Sequence, residues 1–335
     1  AYQSHYVDLE LTPGKTILSP APPFLAFGIS LTIHMPLCNG VCVILSPNPE
    51  ADFVVNQFIK YRPNFFLGGP VFLDKIMSHT KVKKMNLSFV KAIEIGGMAV
   101  SENYIAELES FLKEHRCTGS VLTGYGMTEL AGCSTSESNS VRRSGSVGIP
   151  LCNVNMKVCD INTGIELRYK ETGELYICSP CIMNRYFEND EATESLIEVD
   201  KEGAKWVRTG DLAYIDEDGF IYIVGRIKRI EVTIDPITKA MVKLYPDYVE
   251  HIINSFDAVE RSAVIAVDSI DRERVPVAFV KLKENRIEDI EEMDRFFEEN
   301  EEMYNKPIKY YFIKEIPVLP NGKIDYNSLE NIAKG

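Results

Sequence analysis

The stretch LTGYGMTELAG, from Leu122 to Gly132, places two glycines around a tyrosine and follows them with a hydroxyl and a carboxylate. Gly124 and Gly126 permit a close backbone approach that a side chain would block. Between them, Tyr125 offers a flat ring to a planar ligand. Met127 leads into Thr128, which can donate to a phosphate oxygen, and Glu129, whose hard oxygens suit magnesium. The same residues also fit a plain turn, with a core tyrosine, a capping threonine and an acid at a helix start. Asp211, in RTGDLAYIDEDG, can accept from two adjacent sugar hydroxyls or form an Asx turn. Arg226 brings a rigid donor fork, suited to a ribose, a phosphate or an interdomain ion pair. Lys323, after the turn in LPNGKIDY, is either surface charge or a cation delivered to developing negative charge.

The surrounding pattern must position these groups. VCVIL is a short buried-strand candidate, and ADFVVNQFIKYRP is helical up to Pro63. FVKAIEIGG is strand-like, and Ser101 caps a helix whose Ile105, Leu108 and Leu112 form one apolar face. SVLTG is the next strand. This order predicts an α/β unit with parallel crossovers, and ligands of such sheets sit beyond the carboxyl ends of the strands. Both Gly96-Gly97 and Gly124-Tyr125-Gly126 fall at those ends. From Gly148 onward, NMKVCD, GELYIC and FIYIVG are short strands between turns, predicting antiparallel sheet or a small distorted barrel. Two helices and three strands then predict a compact α+β lobe, with Pro246 in a helical first turn.

Composition narrows the class. The 335 residues are 45% hydrophobic and 25% charged, enough for more than one folded domain. A formal charge of −13 argues against non-specific adhesion to nucleic acid. The apolar runs are too short for a membrane span. Eight dispersed cysteines are read as reduced thiols in a cytoplasmic protein. Cys178 and Cys181 have CxxC spacing, but no second pair or nearby histidine completes a metal set.

GGMAVSE, LTGYGMTEL, SVGIP, TGELYI, RTGDLAYIDEDGFIYIVGRIKR and LPNGKIDYNSL, in that order, resemble the adenylate-forming (AMP-binding) superfamily. That superfamily includes acyl-CoA synthetases, adenylation domains of peptide synthetases, and luciferases. The resemblance implies that Gly97 and Met98 contact adenine and that Tyr125 stacks on it within Gly124–Met127. It also implies that Thr128 meets phosphate, Glu129 binds magnesium and Asp211 holds the ribose, while Arg226 falls on the family's conserved arginine. Lys228 falls at the hinge position, and Lys323 at the mobile lysine that approaches the α-phosphate. The implied fold has the C-terminal part of a large domain over residues 1–226, barrel-like at about 149–226. A small mobile α+β domain spans 227–335.

The activity so implied uses ATP to convert a small carboxylic acid to an acyl-AMP with release of pyrophosphate. The acyl group then passes to a thiol, first coenzyme A and otherwise the phosphopantetheine of an acyl carrier protein. A non-catalytic nucleotide-binding remnant or scaffold is the alternative of another class. Three departures bear on this. No Ser/Thr/Gly-rich phosphate loop ending in lysine occurs, so the chain is expected to be a C-terminal fragment with an incomplete larger domain and little activity of its own. Leu25, in APPFLAFG, stands where the family often has histidine. After GRIKR, the usual glycine-containing loop is replaced by the glycine-free IEVTIDPITKAMVKLYPDYVE.

Overall fold

Short apolar strands alternating with amphipathic helices build the first part of the chain into a seven-stranded sheet of order β2-β1-β3-β4-β5-β6-β7. The strands are β1 (Thr16–Ser19), β2 (Cys42–Leu45), β3 (Phe65–Leu67), β4 (Ala92–Ile95), β5 (Ser120–Tyr125), β6 (Thr135–Ser136) and β7 (Ile149–Pro150). Pairings from β2 through β5 are parallel, and those of β6 and β7 are antiparallel. The computed structural model describes residues 9–97, 100–283, 286–287, 290–319 and 323–334. The chain divides into two compact units, Ala1–Thr209 with Ala213–Ile223, and Gly210–Leu212 with Val224–Gly335.

Three helices of the first unit, α1 (Ala51–Tyr61), α2 (Pro70–Ser78) and α3 (Glu102–Glu114), each bury one stripe. In α1 that stripe is Val54, Val55 and Phe58, and the helix stops where Arg62 turns left-handed before Pro63. Full burial of a side chain such as Phe58 stabilises the fold by roughly 1.5–3 kcal/mol. The Ser101 hydroxyl oxygen accepts from the Tyr104 amide at 3.2 Å and starts α3. Alternation along β4 feeds two cores. Ile93 and Ile95 join Phe58, Phe66 and Leu108, while Ala92 joins Ile17, Phe65 and Leu122 on the other face. Residues 26–38 form helical turns of which Phe27, Leu31 and Met35 pack on that second core. Each face of the larger sheet thus has its own apolar cluster, where an incomplete larger domain was the expectation.

The barrel expectation is also corrected. β8 (Asn155–Cys159), β9 (Gly173–Cys178), β10 (Ile197–Val199), β11 (Lys205–Ile215) and β12 (Ile221–Arg226) form a five-stranded sheet. Its path runs β10-β11-β9-β8, with β12 on β11, and among the described residues β8 and β10 do not pair. A barrel needs its edge strands to meet. Here β11 is eleven residues long, while its neighbour β10 has only three. One long strand can pair with several short ones and leave the sheet open. The short helix α4 (Asp190–Leu196) precedes β10.

The second unit has a five-stranded sheet of β13 (Glu231–Ile234), β14 (Met241–Leu244), β15 (Val259–Ser269), β16 (Glu273–Leu282) and β17 (Lys309–Phe312). Alternate residues of β15 and β16 again supply two faces. Val264, Ala266 and Val280 pack with helices α5 (Pro246–Asn254) and α6 (Ile290–Asn300). Ala263, Ile265 and Phe279 pack with Leu329 of α7 (Tyr326–Lys334). The glycine-free insertion is the β13–β14 hairpin. Asp235 Oδ1 accepts from the amides of Ile237 and Thr238 at 2.7 and 3.0 Å, and Lys239 takes φ +61. An aspartate side chain thereby closes a turn for which glycine is the commoner choice. No helix among the described residues is long and apolar enough to cross a membrane.

Candidate functional site

Neighbouring strands β4 and β5, with Ile95 opposite Thr123, end in Gly96-Gly97 and Gly124-Tyr125-Gly126. Gly97 has φ +82, a conformation costly for any residue with a Cβ. At Gly126 the constraint is space, since an added Cβ would lie 1.6 Å from the Gly132 carbonyl oxygen. This contact lets Met127–Gly132 fold tightly. The amides of Leu130 and Gly132 donate to the Met127 carbonyl at 3.1 and 3.0 Å, and Ala131 turns left-handed. The turn presents Thr128 exposed and Glu129 half-exposed beyond the strand end. Met127 stands at the cap position, and no side chain caps the turn. Tyr125 and Met127 are half-buried against the apolar cluster of the β8–β12 sheet.

Glu129 is held from a segment that the sequence did not single out. The Met183 amide donates to its carbonyl at 2.8 Å, and the Tyr186 hydroxyl donates to its Oε1 at 2.5 Å. Tyr186 is itself fixed, its amide donating to Thr193 Oγ1 in α4 at 2.9 Å. Burial, with the adjacent carboxylate, pushes the Tyr186 phenol up to about 12, so it remains a donor at neutral pH. The pair is 57 residues apart, and no local spacing announces it. Glu94 was also passed over, although an acid inside the apolar run AIEI signals a buried carboxylate; it is 6% exposed.

The second unit joins two of the expected residues. Asp211 is buried, and its Oδ1 lies 2.8 Å from Nε of the mostly exposed Arg226. The Arg226 amide donates to Asp247 Oδ2 at 2.8 Å. Lys228 is exposed in the single turn Ile227–Arg229, and Arg229 also binds Asp247. Both flanks of Lys228 are therefore tied to one carboxylate. Lys323 is exposed, its carbonyl accepting from the Leu319 amide at 2.8 Å beside the Val318–Ile324 bridge. Met98 lies outside the described residues.

Comparison with known proteins gives this geometry its context. The chain is 31% identical over 323 residues to a probable CoA ligase, CCL5, of Humulus lupulus, covering 95% of this chain and 56% of that protein. It is 30% identical over 323 residues to peroxisomal OPC-8:0-CoA ligase 1 of Arabidopsis thaliana, covering 95% and 57%. The chain thus spans somewhat over half the length of these curated relatives. Among solved structures, ATP-bound MatB from Rhodopseudomonas palustris superposes with a TM-score of 0.84 at 23% identity, over 99% of this chain and 63% of that one.

The expectation of a C-terminal fragment is corrected by the family matches, in which both modules are represented. The model of the AMP-binding enzyme family matches residues 1–187, and that of the AMP-binding enzyme C-terminal domain matches residues 248–323. With more than half of its length matched by the first of these, the chain belongs to the AMP-binding enzyme family.

Proposed function

We propose that the protein is an ATP-dependent acid–thiol ligase. The carrying observation is the turn folded over Gly126 at the carboxyl end of the parallel sheet, which presents Thr128 and Glu129 side by side. The family membership and the likeness to CoA ligases support the same reading. In the first half-reaction, a carboxylate oxygen of the acid attacks the α-phosphorus of ATP. The bond to the bridging oxygen breaks, and pyrophosphate leaves. In the second, a thiolate attacks the acyl carbon, AMP departs, and the thiol proton passes to solvent. Coenzyme A is the proposed acceptor because these curated relatives are CoA ligases.

Each side chain has a task in this reading. Tyr125 stacks on adenine above the Gly124–Met127 backbone, with Gly97 beside it. Asp211 accepts from the ribose hydroxyls, and Arg226 holds Asp211 in place while offering its outer face to the nucleotide. Thr128 donates to phosphate. Glu129 and Thr128 together are a carboxylate and a hydroxyl, a donor set that suits magnesium. The ion would supply charge neutralisation between two anionic reactants. Lys323 brings a cation to the charge that develops on the phosphoryl oxygens. Lys228 is the proposed hinge residue, allowing the lysine to withdraw after the first half-reaction.

The direct test is pyrophosphate exchange into ATP, measured across a panel of carboxylic acids, followed by thiol consumption with coenzyme A. Acid-dependent exchange and acid-dependent loss of free thiol are expected. Failure of every acid to support exchange would sink the reading. A narrower test uses Tyr186→Phe. Losing a hydrogen bond to a charged group costs about 1.5–3 kcal/mol. The variant should need roughly tenfold more magnesium for half-maximal exchange while keeping its CD spectrum. An unchanged magnesium midpoint would show that Tyr186 does not orient Glu129.

A further inference from the structure

Cys178 and Cys181 flank a turn on the path from the β8–β12 sheet to Glu129, and nothing in the reaction above uses them. Cys178 is the last residue of β9, opposite Asn155 of β8, and is half-exposed. It lies on the strand face of Glu174 and Tyr176, while Leu175 and Ile177 enter the apolar cluster from the other face. The chain then turns through Ser179 and Pro180. The Ser179 hydroxyl oxygen accepts from the Cys181 amide at 3.1 Å, and the Ser179 carbonyl accepts from the Ile182 amide at 3.4 Å. Cys181 is left exposed, and Ile182 returns to the apolar cluster of Leu175 and Ile177. The next residue is Met183, whose amide donates to the Glu129 carbonyl at 2.8 Å. Tyr186 follows, with its hydroxyl on Glu129 Oε1.

An exposed thiol is a reactive liability, and cysteine is among the residues most often buried. Here an exposed thiol and a half-exposed one are separated by Ser-Pro, the Cys-x-x-Cys spacing of redox pairs. Among the described residues no group of three potential ligands gathers around a metal position, so the turn presents a dithiol and not a zinc ligand set. A disulfide holds its Cα atoms roughly 4.4–6.8 Å apart. The turn now takes its geometry from the Ser179 hydroxyl instead. Tying Cys181 to the end of β9 competes with that hydrogen bond and with the seating of Ile182, and Met183 is the next residue along.

We propose that Cys178 and Cys181 are a thiol–disulfide modification site, at which a small-molecule disulfide of the glutathione disulfide class loosens the grip on Glu129. The exposed Cys181 thiolate attacks one sulfur of the reagent, whose S–S bond breaks and whose other half leaves as a thiolate. Cys178 then attacks the mixed disulfide at the Cys181 sulfur, the Cys178–Cys181 bond forms, and the second half leaves. The chain gives up two electrons and two protons, and the reagent becomes two thiols. The bridged turn withdraws the Met183 amide and with it the support that Tyr186 gives Glu129. Weaker magnesium binding by the bridged form rests on the reading of Glu129 given above; the bridge and the release of Met183 do not.

The full chain is equilibrated with glutathione and glutathione disulfide, alkylated, and read by peptide mass spectrometry. A Cys178–Cys181 bridge that dithiothreitol reverses is expected, and Cys178→Ser should stop at a glutathione adduct on Cys181. Hydrogen exchange at the Met183 amide should be about tenfold faster in the bridged protein than in the reduced one. The magnesium midpoint for pyrophosphate exchange should rise roughly tenfold on oxidation of the unaltered protein. In Cys181→Ser it should stay where the reduced protein has it. No bridge, a bridge to a different cysteine, or a bridge that leaves hydrogen exchange at Met183 unchanged overturns the proposal. A bridge that frees Met183 without moving the magnesium midpoint overturns the link to Glu129. If no acid supports pyrophosphate exchange, the ligase reading falls instead, and the mass and hydrogen-exchange results still decide the site.

Discussion

Lys323→Ala is expected to slow acid-dependent pyrophosphate exchange by roughly 10²–10³-fold, the usual loss when one preorganised donor to developing charge is removed. The fold should be indifferent. The side chain is exposed, and the backbone tie at this position runs through the Lys323 carbonyl, which a substitution leaves intact. Stability should therefore change by no more than about 0.5 kcal/mol. The loss should fall on kcat with little change in the KM for ATP, because an interaction made mainly in the transition state is being removed. Transfer to the thiol from chemically supplied acyl-adenylate should proceed at the normal rate, which separates a role in adenylation from a general defect. Lys323→Arg should recover only part of the rate, since a planar fork does not occupy the place of a compact ammonium. Exchange at the unaltered rate in Lys323→Ala would remove this lysine from the mechanism.

The parts of the fold legible beforehand are those governed by local chemistry. The α1 stripe, the Ser101 cap and the alternation of β15 and β16 follow from spacing alone. Gly126 was legible as a close-approach glycine, although the object it approaches, the Gly132 carbonyl, was not. The barrel expectation failed because period-2 patterning reports strands but not whether the outermost two meet, and β8 and β10 do not. At the site, the glycine turns could be placed at strand ends from the element order. What holds Glu129 could not, because Tyr186 arrives from a distant loop fixed by Thr193. Asp247 was hidden for the same reason. It sits in the first turn of α5, where nothing local announces that it receives both the Arg226 amide and the Arg229 guanidinium.

That last cluster carries the second large effect. Arg229→Met is expected to destabilise the second unit by about 3–5 kcal/mol, the cost of stripping the partner from buried charges. The guanidinium is 18% exposed, binds Asp247, and donates to Glu250 Oε1 at 2.9 Å and to the Tyr326 hydroxyl at 2.8 Å. It also lies 3.9 Å from the centroid of the Tyr326 ring, in cation–π range. Without it, two carboxylates from one face of α5 are left close together and mostly out of water. Burial already holds Glu250 above the usual carboxylate range, with Arg229 pulling it back down. Removing the arginine must raise it further. A carboxyl raised in the folded state binds more protons there than in the unfolded chain, so its contribution to stability is lost as pH rises through the folded value. The deficit of Arg229→Met should therefore be larger at pH 8 than at pH 5, measured by urea unfolding followed by circular dichroism. Tyr326→Phe keeps the ring but loses the hydroxyl, and should cost only about 1 kcal/mol. A small deficit in Arg229→Met that is the same at both pH values would mean that water, not the protein, solvates these carboxylates.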